Sequence, residues 1–460
     1  MLNFSRFFSI FRLLKFSLGF LLFLLPWQTI WIYQEQFLNG VKWEYGTLGF
    51  YFTEALLWWT VVLFIVWFWK NFKFQISNFK FQINWTKDRI FLLSGLLFAV
   101  YCFLSFFLAI DSDVALQRAL HIMEGFLLFL MLCIGPLVVR NAMLCFVGGA
   151  IVQSILGIWQ FLVQSTFSST ILGITLHPVW ESGTSIIQGE DIGRWLRAYG
   201  GFSHSNVFGG YLVISIIFTL LLLFRGIKNN ELRIKIVVGI GLCLQVVALF
   251  FTFSRSAWLA FVMVILLYFC IIFFAKRSLH TTGHVLSSII LIGILVTLFF
   301  PLVQTRFGGN AVHEVASINQ RVSGYEEAWG LFKLNPILGV GVGNYTRAVY
   351  ELDPMREGWT YQPVHNVALL FLVELGAFGL SLFSLVVLSF LSLFFGITIF
   401  RYKDWNLKFG ICFVLCLVPY VLLGLFDHYL FSSYSGIVIT AVYFGIIFRF
   451  FHNISTVNTQ

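Results

Sequence analysis

Apolar positions fill this chain in long runs that polar positions interrupt only briefly. Twelve runs come close to or pass the ~20 residues that cross a bilayer as helix. They cover about 13–33, 47–68, 89–110, 115–138, 141–163, 206–224, 235–253, 256–275, 284–303, 377–400, 408–426 and 430–448. The pattern predicts an all-α, polytopic membrane protein with about 12 transmembrane helices. Two connecting segments, about 164–205 and 304–376, exceed ordinary loop length. Within the second, Val322, Tyr325, Trp329 and Phe332 recur at helical spacing between Arg321 and Lys333. That stripe predicts an amphipathic helix along the membrane surface, stopped by Asn335-Pro336. The predicted organisation is nine spans over 1–303 with an outer loop at 164–205. A helical extracytoplasmic loop follows over 304–376, then three spans and a cytoplasmic tail over 377–460.

Composition narrows the class. Of 460 residues, 59% are hydrophobic and 11% charged, against about half and about a quarter in a soluble domain. A soluble enzyme, a secreted disulfide scaffold and a disordered chain are excluded. The seven cysteines lie in apolar stretches and act as small hydrophobes. Cys412 and Cys416 share a helix face without another ligand nearby, so neither a metal site nor a cofactor is expected. The first run lacks a small-residue cleavage pattern and reads as a retained span.

The net charge is +9, but the basic residues sit in short loops between spans, which speaks for membrane topology and against nucleic acid. With the N-terminus in the cytoplasm, that side receives 19 Lys and Arg against three acidic residues (Asp88, Glu231, Asp404). The opposite side receives 10 against 17. Both termini are then cytoplasmic. Eight of the ten outer cations are Arg, the others being Lys42 and Lys333. Guanidinium forks suit phosphate, so chemistry is expected on the outer face. The inner loop 71–84, NFKFQISNFKFQIN, is a seven-residue near-duplication, either a membrane-surface segment or a fortuitous repeat.

Several outer residues are candidates, each with a plainer alternative. Arg321 opens the amphipathic helix, where an arginine can simply snorkel. Gly339-Val340-Gly341-Val342-Gly343-Asn344 can form an anion-binding nest or a tight turn. A nucleotide loop is excluded there, because no strand precedes it and no Lys-Ser/Thr follows. Pro363-Val364-His365-Asn366 opens an apolar run ending at Leu375-Gly376. His365 near that helix N-terminus would stay neutral, as a general base must, or it is a structural histidine. Arg255, in Ser254-Arg255-Ser256, occupies the shortest outer turn, where topology asks for no cation. Arg197 lies in RAYGGFSHSN with His204 and Asn206, and Asn206 can cap the sixth span. Arg118, His121 and Glu124, at i, i+3 and i+6 in the fourth span, are ion-paired packing or the lining of a cavity.

In this order, RAYGGFSHSNVFGGYL, FSRSAWLAF, the Arg-led helix with NPILGVGVGN, and VHNVALLFLVELGAFGL resemble the O-antigen ligase family of bacterial envelope glycosyltransferases. The resemblance covers about residues 195–380. It implies a helical fold of the lipid-sugar glycosyltransferase (GT-C-like) type. It also implies transfer of a glycan from undecaprenyl diphosphate, on the outer face of the bacterial cytoplasmic membrane, to a hydroxyl of the lipid A core, without a divalent metal. By motif, the functional arginines are Arg255 and Arg321 and the essential histidine is His365. Arg197, Asn206 and Glu374 match recurring positions, and Arg118, His121 and Glu124 are expected to border the polyprenyl tail. Where the family often has Pro-Asn ahead of the sixth span, this chain has Ser205-Asn206. The superfamily includes polysaccharide polymerases and protein-glycosylating oligosaccharyltransferases, so the acceptor is a glycolipid, a polysaccharide or a protein. From another class, a secondary transporter would show repeated halves, which the sequence lacks.

Overall fold

The computed structural model describes residues 4–78, 87–181, 183–226, 231–274, 279–308, 312–398 and 405–457. The second copy of the near-duplication falls largely outside them. Helix fills most of each of the twelve apolar runs. Among the described residues, nine helices are long and apolar enough to cross a membrane. Two further helices that meet at an 88° bend make a tenth if counted as one span.

The first run departs from its predicted bounds. Helix α1 (Phe4–Leu24) stops before Pro26, which cannot donate to a helix and restricts the residue ahead of it. The chain then forms β1 (Ile30–Gln34), a short hairpin of β2 (Phe37–Leu38) and β3 (Val41–Lys42), and β4 (Leu48–Tyr51), which pairs antiparallel with β1. The hairpin turns on Asn39-Gly40, both at positive φ, the usual chemistry of a two-residue connection.

Helices α2 (Phe52–Asn78), α3 (Lys87–Leu104), α4 (Ser112–Ile134) and α5 (Val139–Val163) follow. The long loop after α5 carries a hairpin, β5 (Ile186–Gly189) and β6 (Gly193–Leu196). Helix α6 (Ser205–Leu221) has every residue buried except Asn206. It packs against α5, α7 (Leu232–Phe251), α8 (Arg255–Phe274) and α14 (Trp405–Phe426) and is the axis of the bundle. The outer helices instead expose large apolar side chains such as Trp69, Phe273 and Leu298, the surface a bilayer would cover.

The predicted span 284–303 is not straight. α9 (Leu279–Leu298) breaks into α10 (Phe300–Phe307), with Pro301 in the first turn of α10. Helices α11 (Val312–Leu334) and α12 (Tyr345–Leu352) build the second long loop. Arg321 therefore lies inside α11 rather than at its start. The stripe read from the sequence is only partly covered, with Val322 and Trp329 exposed while Ala328 and Leu331 are buried. Helix α13 (Val367–Thr398) is kinked at Gly376. The chain ends through α14, α15 (Tyr429–Ser432) and α16 (Tyr434–Val457). α4 packs on α16, α3 on α13 and α8 on α14. Hydrogen bonds between hydroxyls tie helices across the apolar interior, as Ser17–Thr60 at 2.7 Å and Ser94–Ser389 at 3.0 Å show.

Candidate active site

The turn between α7 and α8 is the first component. Phe253 adopts φ +46° there, the left-handed region that costs a bulky L-residue energy. Two buried arginines hold this turn by its carbonyls. Arg197 Nε donates to Thr252 O at 2.6 Å, and Arg306 Nε donates to Phe253 O at 2.9 Å. The turn places half-buried Arg255 as the first residue of α8.

The second component starts from the same Arg197. Its Nη2 donates to Asn206 Oδ1 at 2.6 Å, and Asn206 Nδ2 donates to Asp427 Oδ2 at 2.9 Å. Asn206 is not the cap of α6. His204 is, its Nδ1 accepting from Asn206 N at 3.0 Å. This frees the Asn206 side chain to bridge Arg197 and Asp427.

Asp427, buried between α14 and α15, is the hub. Its Oδ1 accepts from His428 N at 2.9 Å and faces His365 Nδ1 at 3.5 Å. Burial alone would raise this carboxyl, yet the facing imidazole of His365, and then those of His428 and His204, hold it well below the ordinary carboxylate range. The His428 ring lies 5.0 Å from that of His365, and its Nδ1 is 2.6 Å from Ser432 Oγ. Burial pushes His428 down to about 3. His365 comes two residues before α13, whose first turn is capped by Asn366 Oδ1 accepting from Leu369 N at 3.1 Å.

A continuous polar chain thus runs from the Arg255 turn through Arg197, Asn206 and Asp427 to His365. Three helices, α6, α8 and α13, begin around it. Their N-termini add partial positive charge.

The glycine run resolves differently from a phosphate nest. Gly339, Gly341 and Gly343 all have positive φ, and the anion that fills the turn is the protein's own. Buried Glu374 accepts from Gly343 N at 2.8 Å and from Tyr345 N at 3.4 Å. A Cβ on Gly339 would meet Glu374 O at 2.4 Å, and one on Gly376 would meet Ile337 O at 2.2 Å. Segment 337–345 and the kink of α13 are therefore locked together, and Glu374 serves that lock.

The other candidates lie outside the polar chain. Arg321 is half-buried on α11, its Nε buried and without a hydrogen-bond partner. It sits three residues before Gly324, whose carbonyl accepts from Tyr345 Oη at 3.4 Å. Arg118 Nη1 reaches Phe431 O at 3.4 Å, just past His428. His121 is buried with Nε2 3.4 Å from Glu54 Oε1.

Among the described residues, two groups have donor atoms close enough to hold a metal ion, His365/Asp427/His428 and Glu54/His121/Glu124, with the atoms of each group within 4.8 Å of one another. Asp427, His428, Arg306 and Glu54 are not among the candidates that the sequence offered. The signal was there for Asp427-His428. It is an ionisable pair in a turn between two apolar runs, the same anomaly that singles out Arg255.

No curated protein matches this chain. Residues 240–384 match the family model described as O-antigen ligase. That stretch holds Arg255, Arg321, His365 and Glu374 and ends short of Asp427. The match agrees with the apolar helices fit for a membrane, and over residues 240–384 the chain is similar to an O-antigen ligase domain.

Proposed function

We propose that the protein transfers a glycan from undecaprenyl diphosphate to an acceptor hydroxyl on the outer face of the bacterial cytoplasmic membrane. It does so from a twelve-span fold of the GT-C-like type with both termini inside. The observation that carries this reading is the polar chain joining the Arg255 turn to His365. It ties a cation suited to a diphosphate to a base suited to a hydroxyl. Every helix end that builds it falls on the outer side when charges are sorted by the positive-inside rule.

In this mechanism His365 takes the proton of the acceptor hydroxyl as its oxygen attacks the anomeric carbon. The bond from that carbon to the diphosphate breaks, and polyprenyl diphosphate departs. Arg255 and Arg321 stabilise the charge that develops on it, without a metal. Direct attack inverts the anomeric carbon. Asp427 orients His365 and stabilises its protonated form, as a carboxylate behind a catalytic imidazole does. Arg197, Asn206 and Arg306 hold the turn and the carboxylate. Arg118, beside the 427–432 segment, is placed to meet the donor, and His121 and Glu374 hold the surrounding helices.

The test is glycan transfer in membranes with matched protein levels. His365→Ala is expected to abolish turnover, and Arg255→Lys to lower it at least tenfold, because an ammonium cannot reproduce the bidentate fork. Full transfer by His365→Ala would end the base assignment. A polymerase would use the same residues with a lipid-linked glycan as acceptor. Donor supplied alone would then give longer chains, whereas a ligase needs added core-type acceptor.

A further inference from the structure

We infer that Glu54, His121 and Glu124 form a binding site for a divalent first-row cation, zinc being the best match, which pins α2 to α4 beside the polar chain. The three side chains are buried. Their donor atoms lie within 4.8 Å of one another. One imidazole and two carboxylates are the donor set of zinc and manganese rather than of magnesium or calcium.

What separates this cluster from ordinary buried acids is how its atoms are satisfied. Glu54 Oε2 accepts from Tyr51 N at 2.5 Å, and Glu124 Oε1 accepts from Trp58 Nε1 at 2.6 Å. Both donors are neutral. They fix one oxygen of each carboxylate and leave the other inward, the arrangement that orients metal ligands. The inward atoms are short of partners. Glu124 Oε2 and His121 Nε2 are buried without any hydrogen bond, although both residues are more than nine-tenths buried, at 2% and 6% exposure. His121 Nε2 approaches Glu54 Oε1 at 3.4 Å without forming a hydrogen bond. Two carboxylates this close and this far from water repel each other unless a proton or a cation neutralises them. A divalent cation would neutralise them and satisfy the orphaned atoms together, with water completing its shell.

Position gives the site a purpose independent of the transfer chemistry. Glu54 lies in the first turn of α2, straight after β4, while His121 and Glu124 lie on α4 one and two turns beyond Arg118. The His121 ring is 5.0 Å from that of Tyr434 at the start of α16, and Tyr434 stacks on Tyr51 at 4.6 Å. A cation here would fix α2 to α4, the helix that also carries Arg118. It touches none of the reacting groups and acts as a positioning device.

The experiment measures metal in the full-length protein, purified in detergent, incubated with zinc and desalted. Mass spectrometry of the elements is expected to find about one zinc per chain. Glu124→Gln and Glu54→Gln keep shape and remove charge, and each is expected to lower that content at least fivefold. His365→Ala is expected to keep it, which separates this site from the one at Asp427. Chelator should lower the melting temperature of the wild type by several degrees, zinc should restore it, and Glu124→Gln should respond to neither. A monodisperse wild type without bound zinc would overturn the inference. So would loss of zinc in His365→Ala with retention in both glutamine variants.

Discussion

Asp427→Asn isolates the hub of the polar chain, and its effect follows from counting donors and acceptors. The carboxylate accepts at both oxygens, from Asn206 Nδ2 and His428 N at 2.9 Å each, while Oδ1 also faces His365 Nδ1. A carboxamide has one oxygen and one NH₂. If its oxygen keeps Asn206, the NH₂ meets the His428 N–H and the side of His365 that carries Nδ1. His365 must then accept at Nδ1 and carry its proton on Nε2, the tautomer that cannot take a proton from an acceptor hydroxyl. If the amide is turned over, two NH₂ groups oppose each other. General-base catalysis contributes about 10²–10⁴ in rate, or roughly 3–5 kcal/mol of barrier. An unsatisfied buried donor costs a further ~1–3 kcal/mol of stability. The assay follows release of polyprenyl diphosphate from a lipid-linked glycan donor at matched enzyme concentration. A fall of at least a hundredfold is expected. Turnover within threefold of wild type, from a variant that melts normally, would refute the orienting role of Asp427.

Two further outcomes concern the fold. Gly341 has φ +96°, and a Cβ there would lie 2.5 Å from Ala109 Cβ and 2.6 Å from its Cα. Gly341→Ala is therefore expected to destabilise by about 2–4 kcal/mol from strain and overlap together, read as a lower melting temperature; an unchanged one would show that the turn relaxes freely. His428 is held neutral by burial, with its value pushed from 6.5 to about 3. Below pH about 6.5 the unfolded chain gains a proton that the folded one refuses, so stability falls by roughly 1.4 kcal/mol per pH unit down to about 3. Melting curves from pH 7.5 to 5 should show this decline, and His428→Gln should flatten it; equal slopes in the two proteins would contradict the buried neutral imidazole.

Much of the site was legible before any coordinates. Arg255 stood out as a cation in a turn where topology asks for none, Arg197 and His365 as polar residues just ahead of apolar runs, and the folded chain sets the Arg255 turn, Arg197 and His365 along one polar path. Arg321 stood out at the head of an amphipathic stripe, and in the folded chain its buried Nε is left without a hydrogen-bond partner. The glycine run looked equally suited to a phosphate and to a plain turn. Glu374 decided the matter, and it lies 31 residues from Gly343 in the chain.

The sequence by itself determined the helical membrane class, because ~20-residue apolar runs have no other stable way to cross a bilayer than with every backbone group bonded inside the helix. It also carries local stops that the apolar pattern hid, since Pro26 ends α1 inside the predicted run 13–33 and Asn39-Gly40 turns a hairpin. Only the tertiary structure decided which polar groups meet. Arg197 and Asn206 share one segment while His365 and Asp427 come from two others, and the pairing of buried polar atoms depends on which helix ends pack side by side. Periodicity records which face of a helix is apolar. It does not record which neighbour will supply the missing hydrogen bond, and that is why Asp427 came to light only in the packed chain.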